Sequence, residues 1–274
     1  MGQDFPILDD HFHLNRRTGA GPDIVKEFMR SGGTHIILVS LPSWSCGVVP
    51  SRADDFRKVF DIMLADEKDV KELGCGCYSI AGVHPAEISR LTERMPLKDA
   101  EDIMCRALDA AAEYVSEGKC IGIKSGRPHY PVSKEVWDAS NRILFHAVTL
   151  AHDLGCALQI HAEDGPCSDV AEMAEKCGAD PKRIVKHFAC CHTPLHPSIT
   201  VREPFAADWF KEKRVFTMES DYIDDFSKPG AVNGPRSVPR RMRNYLQNGI
   251  ASPEDMWRVH SEIPEKLYKV EFEV

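Results

Sequence analysis

The sequence predicts an α/β protein, a TIM-type (β/α)8 barrel that forms a single domain over residues 1–274. Eight short apolar stretches alternate with amphipathic helical stretches, and this alternation is typical of a parallel sheet. Eight repeats favour closure into a barrel over an open sheet, and barrels of about 250 residues commonly form one domain. No Gly-x-Gly-x-x-Gly motif follows the first strand, so a dinucleotide-binding fold is disfavoured.

Four strands are predicted in the first half of the chain: Pro6–His13, His35–Ser40, Cys75–Val83 and Cys120–Lys124. Helices are predicted between them at about 21–31, 51–72 and 97–117. The first helix begins at Gly21-Pro22-Asp23 and ends before Gly32-Gly33, which is the usual placement of proline and glycine at helix termini. In the second helix, Phe56, Val59, Phe60, Met63 and Leu64 recur at helical spacing.

The second half continues the alternation. Strands are predicted at Cys156–His161, Arg183–His187, His196–Thr200 and Arg214–Asp221, the third being the weakest. Helices are predicted at 134–154, at about 168–176 and 202–212, from near Val238, and from Ser252-Pro253, where serine suits the N-cap and proline the first turn.

The composition limits the classes of function. A net charge of −8 and a pI near 5.8 argue against a surface that coats nucleic acid broadly. No apolar run approaches the roughly 18 residues of a membrane span, and the N-terminus lacks a signal-peptide pattern, which predicts a cytoplasmic protein without a membrane partner. The ten cysteines are expected to be reduced. The pairs Cys75/Cys77 and Cys190/Cys191 lack the repeated spacing of a structural zinc clip.

Polar residues gather at the predicted strand ends, where barrels carry their functional groups. His11 and His13 alternate along the first strand and therefore face the same side. His161, His187 and Asp221 end later strands, and Lys124 ends the fourth. This mixture of nitrogen and oxygen ligands predicts one converging site for a divalent metal ion and suits zinc, manganese, nickel or iron.

Five motifs in order resemble the TatD-related branch of the metal-dependent amidohydrolase superfamily. They are DDHFHLN at 9–15, GVHP at 82–85, IHAED at 160–164, KHF at 186–188 and ESD at 219–221. The resemblance spans essentially the whole chain. It implies that His11 and His13 hold a first metal with Asp221, and that His161 and His187 hold a second. It also implies that Asp221 is the general base for an attacking water, and that the substrate is a phosphodiester.

The fourth strand departs from the family pattern. Where the family commonly has a bridging glutamate in Gly-Glu-x-Gly, this chain reads IGIKSGRPHY, with Lys124 at the matching position. The more distant phosphotriesterase-like enzymes use a carboxylated lysine on this strand. Lys124 is therefore expected to be either a carboxylated metal ligand or a lysine on the barrel rim.

Further residues are predicted to contact the substrate. His84 matches a family position near the substrate, although a turn histidine would explain it equally well. Arg127 and His129 directly follow the fourth strand and are expected either to bind the substrate or simply to pack within the loop. Arg240 belongs to a basic run with Arg236, Arg241 and Arg243; a solvated helix face accounts for such a run, but arginine also suits phosphate oxygens. Glu219 is expected to support a ligand, and Glu163 is expected either to support a ligand or to be a solvated loop acid.

Three functions remain open at this point. The first is a TatD-type hydrolase of a small-molecule or nucleic-acid phosphodiester, for example a deoxyribonuclease. The second is an amide, lactone or phosphotriester hydrolase, which Lys124 favours. The third is a metal-binding barrel without turnover, which Asp221 beside four histidines disfavours because a purely structural site needs no open position. The sequence leaves the oligomeric state open.

Overall fold

The computed structural model describes residues 5–227 and 233–272. Nine strands form within these ranges: β1 Leu8–His13, β2 His35–Val39, β3 Gly76–Gly82, β4 Gly122–Gly126, β5 Ala157–His161, β6 Ile184–Lys186, β7 His196–Thr200, β8 Thr217–Glu219 and β9 Tyr222–Ile223. Ten α-helices accompany them: α1 Val25–Arg30, α2 Arg57–Glu72, α3 Glu87–Thr92, α4 Leu97–Ser116, α5 Lys134–Leu154, α6 Ser168–Lys176, α7 Ala206–Lys211, α8 Ser237–Gln247, α9 Pro253–Trp257 and α10 Ile263–Tyr268.

The chain divides into two compact units, and the first consists of Met1–Leu38, Ala65–Tyr78 and Pro197–Val274. In this unit β1 pairs in parallel with both β2 and β9, and β7 pairs in parallel with β8. Every residue of β1 is buried, as is typical of a parallel strand covered on both faces. Phe12 is fully buried and contacts the rings of Phe28 and Tyr222, which anchors the strand that carries His11 and His13.

The second unit consists of Val39–Leu64 and Ser79–His196, and its strands β3, β4, β5 and β6 pair in parallel in chain order. Long helices α4 and α5 bury one face each; in α4 this face includes Met104, Ala107 and Leu108. Helix α5 begins after Ser133, whose hydroxyl accepts a hydrogen bond from Val136 N–H. It ends at Gly155 in the left-handed conformation, a common helix terminus.

The predicted strands and helices are present, with shifted ends. Strand β4 continues two residues beyond Lys124, to Gly126, which pairs with His161 of β5. A β-carbon at position 126 would lie 1.9 Å from the carbonyl oxygen of His161, so glycine is needed there. The last long strand, β8, is shorter than predicted at both ends. The backbone N–H of Arg214 donates to the Trp209 carbonyl of α7, and Asp221 has φ 51°, which is not an extended conformation. Strand β9 and helix α3 were not predicted. The single domain over residues 1–274 stays a prediction.

Across residues 5–227 and 233–272, every helix is either too short or too polar to cross a lipid bilayer.

Candidate metal sites

The first unit brings together three side chains that were predicted to bind one metal. His11 Nε2 lies 3.1 Å from His13 Nε2, and both ring nitrogens lie near Asp221 Oδ1, at 4.0 and 3.9 Å. The two histidines come from β1, where alternation directs them to the same face. Asp221 follows β8, and its side chain is 13% exposed, so that solvent can reach the carboxylate.

Two buried carboxylates hold in place the backbone segments that carry this cluster. Asp9 Oδ1 accepts hydrogen bonds from the backbone N–H of Ser220 at 2.9 Å and of His11 at 3.4 Å. Asp10 Oδ2 accepts a hydrogen bond from the Thr217 hydroxyl on β8 at 2.5 Å. Burial raises the pKa of Asp9 to about 7 and that of Asp10 to about 6. Both acids thus tie β1 to the segment that ends in Asp221.

The donor atoms of the first unit fit a divalent metal. Ligand atoms around a tetrahedral ion with bonds of about 2.0–2.2 Å lie roughly 3.4 Å apart. The three separations in the cluster, from 3.1 to 4.0 Å, bracket this distance. Two imidazole nitrogens and one carboxylate oxygen suit zinc, manganese, nickel or iron, and as only three protein ligands they would leave an open coordination position.

The second unit holds a cluster of histidines at the ends of its strands. His161 Nδ1 lies 3.0 Å from His187 Nε2, and this pair was predicted to hold a second metal. The other ring nitrogen of His161 lies 2.5 Å from His129 Nδ1. The ring centroid of His84 lies 4.8 Å from the ring centroid of His161. The structure therefore places both histidines that were predicted to contact substrate beside a predicted metal ligand.

The electrostatic environment keeps His161 neutral. Burial lowers its pKa well below the ordinary value, and the nearby groups His84, Lys124, His129 and Lys186 lower it further. A neutral imidazole is the form that binds a metal. Lys124 belongs to this environment: it is buried in the middle of β4, where its backbone pairs with Gly82 of β3 and Gln159 of β5. Both expectations for Lys124, a carboxylated ligand and a lysine on the rim, stay predictions.

Arg127 is buried and holds together the loops that follow β4 and β5. Its guanidinium donates to both carboxylate oxygens of Glu163, to both of Asp169 and to Asn141 Oδ1. The guanidinium also makes a cation–π contact with Trp137, whose ring centroid lies 4.7 Å from the guanidinium carbon. All five N–H groups of an arginine are thereby used. The predicted contact of Arg127 with a substrate would require one of these bonds to be exchanged.

The basic run begins directly before α8 of the first unit and continues along this helix. Three of its four arginines contact other residues of the chain. Arg236 pairs with Glu27 at 3.3 Å, and Arg243 donates to the Ser31 carbonyl at 2.9 Å. Arg241 lies over the ring of Tyr245. Arg240 is exposed, and its predicted contact with an anionic substrate stays a prediction.

The sequence interpretation assigned no role to Asp9 and Asp10, although both belong to the first motif. The available signal is the position of two adjacent acids inside a strand that is predicted to be buried, since buried carboxylates require partners. Glu163, expected to support a ligand or to be a solvated loop acid, pairs with Arg127. Glu219 is fully buried and accepts a hydrogen bond from Ser198 at 2.6 Å.

Known proteins resemble this chain in sequence and in fold. The uncharacterized protein MJ1127 of Methanocaldococcus jannaschii is 35% identical over 283 residues, and the match covers 98% of each chain. The organophosphorus hydrolase from Deinococcus radiodurans shares the fold with a TM-score of 0.61 at 12% identity, over 97% of this chain and 93% of that one. The lactonase Lmo2620 from Listeria monocytogenes has a TM-score of 0.60 at 10% identity, over 99% and 97%.

The family model for TatD related DNase matches residues 8–269. The predicted barrel fold and the predicted hydrolase class are confirmed by these similarities, and the chain belongs to the TatD-related DNase family.

Proposed function

We propose that this hydrolase is a metal-dependent phosphodiesterase that acts on a nucleic acid or on a small-molecule phosphodiester, with a deoxyribonuclease as the leading form. The observation that carries the proposal is the convergence of His11 Nε2, His13 Nε2 and Asp221 Oδ1 within 4.0 Å in the first unit. The match to the family of TatD-related DNases supports the phosphodiester as the substrate class.

The chain's own residues suit the roles that hydrolysis requires. His11 and His13 would hold one divalent ion with Asp221, and His161 with His187 would hold another. Such an ion supplies Lewis acidity and lowers the pKa of a bound water. Asp221, partly exposed, would accept the proton of the attacking water. His84, His129 and Arg240 would contact the substrate. That both ions share one centre stays a prediction from the family resemblance.

A second function is favoured by the buried Lys124. In place of the expected glutamate, this side chain would bind metal after carboxylation, as in the phosphotriesterase-like enzymes. Two solved structures with this fold carry the names organophosphorus hydrolase and lactonase. Hydrolysis of a lactone or a phosphotriester is therefore the alternative proposal.

One experiment separates these functions. The purified protein would be loaded separately with Zn²⁺, Mn²⁺, Ni²⁺ or Fe²⁺ and assayed on single-stranded DNA, an aryl phosphodiester, an aryl phosphotriester and a lactone. We expect turnover of the phosphodiesters. Asp221→Asn should lower kcat on them by about 10²- to 10⁴-fold, because it removes the proton acceptor. Turnover of only the lactone or the triester would favour the alternative, and binding of metal without any turnover would contradict both.

Metal content provides the second measurement. The double variant His11→Ala/His13→Ala should lose at least one bound ion per chain while it keeps its folded circular dichroism spectrum. His152→Ala, which removes an exposed histidine of α5, is the matched control and should keep the parent's metal content. A double variant with normal metal content would exclude the cluster of His11, His13 and Asp221 as a metal site.

A further inference from the structure

Phe188 follows the predicted ligand His187 directly and has an unusual backbone conformation. Its φ is 54°, in the left-handed region that a bulky side chain rarely adopts. Its side chain is 39% exposed, which makes it one of the few large apolar residues at the surface of the described chain. A residue with this combination is retained at a cost in conformational free energy and in exposed apolar area.

The other non-glycine residues with positive φ differ from Phe188. Lys213 and Lys269 lie at the ends of helices α7 and α10, where the left-handed conformation is common. Asp221 is an aspartate, a residue type that tolerates this region. Cys167 directly precedes α6 and has a small, buried side chain. Phe188 lies in a turn after β6, where glycine or asparagine would adopt the same conformation without strain. The backbone alone therefore does not account for a phenyl ring at this position.

The ring is placed beside the candidate metal ligands of the second unit. Its centroid lies 6.1 Å from that of His187, and the two ring planes are inclined by 76°. His187 in turn contacts His161 at 3.0 Å. An exposed phenyl ring next to this imidazole pair offers an apolar, flat surface within reach of a group attached to the reacting bond.

We propose that Phe188 determines substrate specificity by stacking on a planar aromatic group next to the scissile bond, which is the ring of a nucleobase or of an aryl ester. The inference rests on the proposed function and narrows its substrate class. Phe188 would thus act in binding: it contributes to KM and leaves the chemical step unchanged.

The kinetic test uses two diesters with the same leaving group. Bis(p-nitrophenyl) phosphate carries a second aromatic ring, whereas methyl p-nitrophenyl phosphate carries a methyl group instead. Phe188→Leu should raise KM for the first by about 5- to 100-fold, the range of one lost stacking contact. An equal rise for the second, which keeps the ring of the leaving group, would assign the stacking to that ring, and a smaller rise would assign it to the other ring. An unchanged KM for both would overturn the role of Phe188. Phe188→Tyr keeps the ring and should retain the parent values. Phe145→Leu removes an equally exposed ring, 41%, from α5 and should change neither KM.

A binding measurement keeps the inference testable if the parent hydrolyses neither diester. Calorimetry would compare phenylphosphonate with methylphosphonate, since the two share the anionic group and differ in the ring. The parent and Phe188→Tyr should prefer phenylphosphonate, and Phe188→Leu should lose that preference. A ring preference in a protein without diesterase activity would refute the proposed function and still support the role of Phe188. Equal binding of both probes by the parent, binding of neither, or an unchanged preference in Phe188→Leu would overturn the role of Phe188.

A third substrate identifies the source of the ring. The dinucleotide of two thymidines presents nucleobases and no aryl ester. A KM for the dinucleotide that rises in Phe188→Leu as it does for the aryl diester would assign the stacking partner as a nucleobase. An effect on the aryl diester alone would assign it as an aryl ester.

Discussion

The carboxylate of Asp9 accepts a hydrogen bond from the backbone N–H of Ser220 at 2.9 Å, so a buried acid of β1 holds the residue that precedes Asp221. The same oxygen accepts from the backbone N–H of His11. One side chain thereby fixes the backbone of β1 at His11 and the backbone directly before Asp221. Groups that orient metal ligands in this way typically contribute about 10- to 100-fold to metal affinity.

Asp9→Ala should therefore weaken metal binding by about 10- to 100-fold, although Asp9 is not itself one of the three converging ligands. Asp9→Asn keeps an oxygen that can accept from Ser220 and should lose much less. Metal affinity would be measured by competition with a chelating dye. Asp255→Ala removes another buried, hydrogen-bonded acid of the same unit, at the start of α9, and is expected to lower stability without changing metal affinity. Equal affinity in Asp9→Ala and the parent would refute this role.

The buried Arg127 supports a prediction about stability. Arg127→Met removes the guanidinium that joins Glu163, Asp169 and Asn141, and should lower the free energy of unfolding by about 2–3 kcal/mol, the typical contribution of hydrogen bonds to charged groups. Arg142→Met breaks an exposed pair with Glu101 and should cost less than about 1 kcal/mol. Urea unfolding followed by circular dichroism measures both. Similar losses in the two variants would show that Arg127 is no more important than a surface ion pair.

The contrast between local and long-range features explains what the sequence could predict. The placement of His11 and His13 on one face depends only on alternation within a strand, and the structure agrees with it. The bond from Ser220 to Asp9 joins residues 211 positions apart, and no periodicity of the sequence records such a contact. Ser125 and Gly126 resemble loop residues, so the end of β4 was placed too early; only the neighbouring His161 carbonyl shows why glycine is needed there.

A buried histidine of the first unit predicts how stability depends on pH. His260 is fully buried against Leu8 of β1, and burial lowers its pKa to about 4. The unfolded chain binds a proton at this residue near pH 6.5, whereas the folded protein does so only near pH 4. Above about pH 6.5 both states are neutral and the residue adds no pH dependence. As the pH falls from there towards 4, the free energy of unfolding should fall by about 1.4 kcal/mol per pH unit for this group.

Urea unfolding between about pH 7 and pH 4.5 measures this contribution. His260→Asn retains a hydrogen-bond acceptor but cannot be protonated, so its pH slope should be smaller than that of the parent by roughly one proton. His152→Asn, on the exposed surface of α5, should follow the parent. Identical slopes for His260→Asn and the parent would show that His260 does not stay neutral in the folded protein.

Lys124 provides the most direct test of the prediction that a carboxylated lysine replaces a glutamate in this chain. The side chain is 1% exposed, and its positive charge is among the causes that lower the pKa of His161. A buried ammonium beside metal ligands would repel a divalent ion, whereas a neutral amine can react with carbon dioxide to give a carbamate with the charge of a carboxylate. We therefore predict a carboxylated Lys124 in the metal-loaded protein.

Three variants test this prediction. Lys124→Ala should lose metal and activity, and added acetate or formate should restore part of both. Lys124→Glu should retain both, since it supplies the carboxylate directly. Lys186→Met is the matched control, because Lys186 is also 1% exposed but donates to the carbonyls of Ala162 and His187. With ¹³C-labelled carbon dioxide, the parent and Lys186→Met should show a carbamate signal by NMR, and Lys124→Ala should not. If Lys124→Ala keeps its metal and its turnover, Lys124 is not a ligand, and a signal that survives in this variant would place the carbamate on another lysine.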